Sequence, residues 1–273
     1  IVIEVSPNSP ASKAGLISGD IIEKIDGQDI ETMNQAVVIL IAVFSALTCS
    51  TLCGLFNGFL IGKLSIPPIL ATLGTMIFYT GIGMAITNGE SVRIGVKGFS
   101  RLSSRTLVEI PYIFILLVIA FIVISFILSK TKFGREIYMV GQNPITLKFS
   151  GGDPEKILIK TYALIGFLVG ISALIIISRV NSARMGFGDT YQLQAILVAV
   201  LGGIDPDGGK GNILGVALGI TVLQFLQSAF TIFQFTPYAK KLIWGALLLI
   251  VMIINYYINN KKVIKPLRRL RTN

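Results

Sequence analysis

The sequence predicts an all-α polytopic membrane protein with about seven transmembrane segments, one of them short or broken, preceded by a small α+β fragment. Three observations carry this. The 273 residues are 53% hydrophobic, with a mean hydropathy of +0.76, which is membrane composition. From Val37 onward, apolar runs long enough to cross a bilayer recur, each near the ~20 residues a span needs. Charge is split: residues 1–35 carry a net −4 and the remainder +14, which together give the total of +10. In a membrane protein an excess of Lys and Arg marks cytoplasmic loops, so the basic charge does not argue for nucleic acid.

Residues 1–35 differ from everything after them. Residues 1–5 alternate like a strand, and Ser6-Pro7-Asn8-Ser9-Pro10 is a turn cluster. Residues 11–16 read as a short helix ended by Gly15. Residues 20–25 read as a strand running into Asp26-Gly27, a strong tight-turn signal. The run Ser9-Pro10-Ala11-Ser12-Lys13-Ala14-Gly15-Leu16, then Gly19-Asp20-Ile21-Ile22-Glu23-Lys24-Ile25-Asp26-Gly27, resembles the middle of a bacterial PDZ domain. Residues 1–35 are expected as a partial PDZ-like segment, too short to bury a good core alone. Ile1 opens a mixed, acidic stretch and no signal peptide is expected.

Six apolar stretches have the length of a span: residues 37–61, 68–86, 111–128, 161–177, 213–233 and 242–258. Residues 193–201 are apolar but short. Charge decides their placement. Residues 130–160 hold Lys130, Lys132, Arg135, Lys148, Lys156 and Lys160; the tail holds Lys261, Lys262, Lys265, Arg268, Arg269 and Arg271. Both are expected in the cytoplasm. An even number of crossings must separate them, and three full spans lie between. Residues 193–201 are therefore expected to cross as well, extended by Tyr191 and Gln192, with any irregular backbone covered by protein or a cavity. This count puts Gly62-Lys63 and residues 205–211 inside, and residues 88–109 and 179–191 outside. Arg93, Lys97, Arg101 and Arg105 in the outer loop run against the rule.

The sharpest turn lies between Leu201 and Gly219. Gly202, Gly203, Gly208 and Gly209 surround Pro206 there, a polar hinge between two apolar segments. Beyond it, Gly211, Gly215 and Gly219 recur every four residues, on one helical face that a neighbouring helix can approach closely. A phosphate-loop reading fails. Gly209 stands where a Walker A sequence needs Lys, and Gly211 follows Lys210 where Ser or Thr is needed.

The chain has no histidine, which excludes an HExxH zinc protease, a Ser-His-Asp triad and a His proton relay. Cys49 and Cys53 read as small packed hydrophobes, with no metal site or disulfide framework expected. A proton- or sodium-coupled carrier more often shows a buried Asp or Glu than these spans do. What the spans carry is neutral and polar: Asn57, Thr72, Thr75, Tyr79, Thr80, Gln194, Gln224, Gln227 and Ser228. Such groups suit a polar uncharged solute such as a sugar; they also bond between helices. Gln224 and Gln227, three apart on one face, are the best candidates for a pore wall. Asn88, Gln194 and Ser228 complete the candidate pathway.

Residues 131–156 exceed a simple connector. Asn143 can cap a short helix starting at Pro144, Ser150-Gly151-Gly152 ends it, and Asp153-Pro154 starts the next. Helices lying along the membrane here could dock a partner, or form an ordinary amphipathic interfacial loop.

Four stretches in order resemble permease subunits of ABC importers for monosaccharides, of the ribose and xylose type. They are Asn57-Gly58 through Pro67-Pro68 to Thr72-Leu73-Gly74; Thr87-Asn88-Gly89; Gly134-Arg135-Glu136-Ile137-Tyr138 with Gly141-Gln142-Asn143 and Ser150-Gly151; and Tyr191-Gln192-Leu193-Gln194-Ala195-Ile196 running into the hinge. The resemblance implies a passive channel half in the bacterial plasma (inner) membrane. Two permease subunits, identical or different, would form the path. A separate ATPase subunit would bind the ATP, so this chain would hold no cofactor, and an external sugar-binding protein would deliver the solute. Gly134, Arg135, Gly141, Asn143, Ser150 and Gly151 would belong to the ATPase-coupling loop. Residues 36–260 would be the permease domain, lacking spans that family members carry before Asn57-Gly58, and residues 261–273 a basic cytoplasmic tail. Gly152 departs from the family, which prefers an aliphatic residue there. Gln192 and Gln194 stand where acidic residues or Asn are common. The alternatives are a membrane-anchored PDZ scaffold or protease-related protein, or a secondary carrier.

Overall fold

The computed structural model describes residues 24–25, 28–94, 106–107, 110–206 and 208–270. Among them the chain forms nine helices: α1 (Ile30–Gly62), α2 (Pro68–Thr87), α3 (Tyr112–Lys130), α4 (Lys132–Gln142), α5 (Pro144–Phe149), α6 (Pro154–Val180), α7 (Asp189–Leu201), α8 (Ile213–Ile232) and α9 (Pro237–Leu270). Two-residue strands pair antiparallel: β1 (Lys24–Ile25) with β2 (Gln28–Asp29), β3 (Val92–Arg93) with β6 (Ser182–Ala183), and β4 (Thr106–Leu107) with β5 (Ile110–Pro111). β1 and β2 flank residues 26 and 27, where the tight turn is expected. That turn and most of the PDZ-like stretch lie outside the described residues. α1 begins at Ile30, so the expected boundary after residue 35 falls inside a helix.

Among the described residues, six helices are long and apolar enough to cross a membrane: Val37–Gly62, Pro68–Thr87, Tyr112–Lys130, Pro154–Val180, Ile213–Ile232 and Pro237–Asn255. The helix start expected at Asp153-Pro154 and the span expected at residues 161–177 are one element, α6. α9 runs on to Leu270, so most of the expected tail continues the last helix. Three helices begin on Asn or Asp caps. Asn143, Asp153 and Asn212 accept hydrogen bonds from the N–H of Ile145 (2.9 Å), Lys156 (3.3 Å) and Leu214 (3.0 Å).

α1 and α6 pack antiparallel along their length. Gly54, Gly58 and Gly62, four apart on α1, lie in turn against Gly166, Ile159 and Glu155 of α6, while Gly170 of α6 lies against Ser50 and Leu47. A Cβ on Gly58 would stand 2.7 Å from Ile159 Cα, and one on Gly62 2.9 Å from Glu155 O. Ser50 continues the stripe, its hydroxyl donating to Gly166 O at 2.6 Å. Small residues let two backbones approach where lipid already solvates larger side chains well.

Element ends gather into two groups. α2 and α6 both close on an Asn in the left-handed region, Asn88 (φ 52°) and Asn181 (φ 55°). β3 and β6 follow them and pair, with Ile94 N–H bonded to Asn181 O at 3.2 Å. Met185, just before α7, lies over Gly83 of α2. At the opposite end, Gly62 meets the start of α6, and the α7–α8 turn meets α4 at Gly141. α7 thus starts at the β3 end and finishes at the α4 end, although its 13 residues rise only about 20 Å. α7, α8 and α9 share a core of Leu197, Leu223, Phe230 and Trp244, with Phe230 edge-on to Trp244 at 5.5 Å between ring centroids.

Candidate solute path and coupling surface

A cavity of about 600 Å³ separates α3 from α8, walled by Phe114, Leu117 and Phe121 on one side and Gln224, Phe225 and Ser228 on the other. The hydroxyls of Thr221 and Ser228 donate within α8, to Ala217 O (2.9 Å) and Gln224 O (3.0 Å). The Gln224 amide is therefore the polar group on this wall not taken up by the helix's own backbone.

Gln227 does not line that cavity. The two residues are three apart, so their directions differ by about 60°. α8 has the cavity and α3 on one side and the core it shares with α7 and α9 on the other, and a step of that size moves a side chain off the cavity wall. Gln227 Oε1 is buried without a hydrogen-bond partner among the described residues. Gln194 is half-buried on α7, one turn before Leu197. Asn88 is exposed at the α2 cap, at the β3 end. The five candidate path residues are not one constellation.

At the α4 end the geometry is tighter. Gly134 is buried against the last turn of α3; a Cβ there would stand 2.6 Å from Leu128 Cα. Thr131 makes the corner, accepting from Gly134 N–H at 3.1 Å and donating to Ile127 O at 2.6 Å. Arg135 is exposed. Ser150 N–H bonds to Thr146 O at 3.1 Å and Gly151 takes φ +79°, ending α5. Val140, Leu147 and Ile157 form a small buried core under α4, α5 and the start of α6. A Cβ on Gly152 would stand 2.7 Å from Leu147 Cγ, which accounts for glycine where the resemblance prefers a larger residue. Lys156, 3.0 Å from Asp153 Oδ2, hydrogen bonds to that carboxylate and holds it below its usual range. The α6 cap therefore stays ionised until the pH falls through that lowered pKa. One turn apart on the far side of α5, Ile145 is 63% and Phe149 89% exposed.

Gly211, Gly215 and Gly219 all face the end of α7. A Cβ on Gly219 would stand 3.1 Å from Val198 O and one on Gly215 3.0 Å from Gly202 C, while Gly211 lies beside Ile204. One feature had a visible signal that the sequence analysis does not use. The Gly54, Gly58, Gly62 stripe has the same spacing as the one singled out in α8. Asn57 and Thr75 bond across α1 and α2, Thr75 Oγ1 to Asn57 Oδ1 at 2.7 Å. Contacts of Tyr138 and Gln142 with the α7–α8 turn had no local signal, because they join residues about 70 apart.

Six long apolar helices, a charge-free cavity between two of them and a basic helical segment at one end define a multi-pass membrane transport protein. The chain belongs to the family described as branched-chain amino acid transport system / permease component, which matches residues 15–252. That match begins within the stretch resembling a PDZ domain. The chain is 30% identical over 229 residues to the ribose import permease protein of Haemophilus influenzae, covering 82% of this chain and 71% of that one. It is 28% identical over 267 residues to the galactose/methyl galactoside import permease protein of Escherichia coli, covering 92% and 77%. Against the autoinducer 2 import system permease protein of Yersinia enterocolitica it is 29% identical over 219 residues, covering 78% and 66%. No solved structure matches the chain. The chain is thus a permease component of the bacterial inner membrane, not an enzyme.

Proposed function

We propose that the chain is the membrane-spanning permease subunit of an ABC importer for a monosaccharide or similar polar uncharged solute. A separate ATPase drives it, a second permease subunit completes the path, and an external binding protein delivers the solute. The observation that carries the choice of solute is the α3–α8 cavity, whose polar groups are the neutral Thr221, Gln224 and Ser228. The relatives named for ribose and galactose import support the same reading. The family's description raises branched-chain amino acids as the other cargo. Such a solute is a zwitterion, and desolvating its two charges asks for charged or helix-end partners that this cavity lacks. Ile145 and Phe149, uncovered on α5, support an ATPase docking there.

Uptake into vesicles holding the permease with its ATPase and binding protein tests this. Labelled ribose or galactose should accumulate, and labelled leucine should not. Gln224→Leu should lower sugar uptake about tenfold, the size of one good hydrogen bond, without loss of assembly. Accumulation of leucine in place of both sugars would overturn the choice of cargo.

The same reading takes α7 as a short seventh crossing, with the α4 end cytoplasmic. In a chain with both native cysteines replaced by Ser, Arg184→Cys should react with an impermeant maleimide from outside intact cells. Lys210→Cys should react only after permeabilisation. Equal labelling of both from one side would mean that α7 does not cross.

A further inference from the structure

We propose that Gly141 and Gln142 are positioning residues of the transport cycle, fastening the turn between α7 and α8 to α4 so that movement of α4 and α5 is passed to the α7–α8 hairpin. The inference rests on reading residues 131–156 as the ATPase-coupling loop. Gln142 Nε2 donates to Gly209 O at 3.2 Å, and the Tyr138 hydroxyl donates to Gly211 O at 3.5 Å. Between these bonds, backbone meets backbone. A Cβ on Gly141 would stand 2.9 Å from Gly209 Cα, and one on Gly208 3.1 Å from Gly141 O. Gly208 and Gly209 both hold positive φ, +93° and +75°, which keeps this approach open to glycine.

The turn is braced internally. Asp205 N–H bonds to Lys210 O at 3.0 Å and Gly208 N–H to Asp205 O at 2.9 Å. Its neck is closed too, since a Cβ on Gly202 would stand 2.7 Å from Val216 Cα. Close-packed interiors transmit displacement, and Gly141 meets Gly208 and Gly209 backbone to backbone. α4 is in turn seated on α5 and α6 through Val140, Leu147 and Ile157. A push on α5 therefore reaches α4, then the turn, then the helices that carry Gln194, Gln224 and Ser228.

Gln142 is exposed, so Gln142→Leu removes the bond without burdening the fold. Gly141→Ala forces the backbones apart. Both are compared with the unaltered chain in vesicles containing ATPase and binding protein, measuring labelled ribose and galactose uptake beside ATP hydrolysis. The expected result is uptake lowered about fivefold or more, the lower range of coupling energies, with hydrolysis held within about twofold. Hydrolysis and uptake falling together would overturn the proposal, because the residues would then serve ATPase docking alone. Unchanged uptake in Gln142→Leu would overturn it as well. If the unaltered chain fails to co-purify with the ATPase, the coupling-loop reading falls and takes this inference with it.

Discussion

Gly54→Leu is expected to destabilise the folded chain by about 3 kcal/mol or more, at the upper end of what overpacking costs. A Cβ at Gly54 would meet Tyr162 O and would stand 2.9 Å from Gly166 Cα. From the other side, a Cβ on Gly166 would stand 2.6 Å from Ser50 O. These partners are backbone, so no rotamer change can relieve the clash. α1 and α6 would have to part, exposing Ser50 and the Gly166 carbonyl it now satisfies at 2.6 Å. Lipid gives little in return, since leucine on a helix surface is already well solvated by acyl chains. The control is Gly74→Leu on α2, where an added Cβ meets nothing within 4 Å. That change should be neutral or stabilising, by about 1 kcal/mol at most from helix propensity. Thermal unfolding of the purified chains in detergent, with size-exclusion profiles, reads the contrast. Matching stabilities for the two variants would refute the close backbone packing of α1 on α6.

Local features of the fold were legible because their causes are local. Asn143 and Asp153 cap the helices expected of them, since a cap needs only its own side chain and an N–H two or three residues on. Spans were legible from apolar length. What escaped the sequence was the choice of neighbour. The glycine stripes of α1 and α8 look alike, yet one meets a helix more than a hundred residues away and the other folds onto the helix just before it. Nothing in either stripe records that difference. The separation of the two glutamines escaped for the same reason: Gln224 and Gln227 share a helical face in isolation, and only the elements around α8 set them in different surroundings. Apolar content stops near residue 258 while helical hydrogen bonding runs on to Leu270. A helix can leave the bilayer, since its backbone bonds are internal on either side of the interface.

Gly215→Ala is expected to do more damage than Gly203→Ala, although both sit at the same turn. The two glycines are required for different reasons. Gly203 has φ +81° and open space around it, so alanine there meets only the left-handed backbone cost of about 1–2 kcal/mol. Asn, which tolerates that region, should recover part of it. Gly215 lies in the first turns of α8 with ordinary helical geometry, so alanine carries no conformational cost. Its Cβ would instead meet Gly202 O and stand 3.0 Å from Gly202 C, both backbone. Relieving that contact means prising α7 from α8 at the neck of the hairpin, for about 3 kcal/mol of overpacking, more with Leu. The displaced helices carry the Leu197–Leu223 contact and both glutamines of α8, so sugar uptake should be lost from Gly215→Leu and retained by Gly203→Asn. Unfolding temperatures and uptake measured on all four variants decide between the causes. If Gly203→Ala proves the more damaging of the two alanine changes, backbone strain rather than close packing holds this turn, and the α7–α8 neck is not the rigid element its geometry makes it.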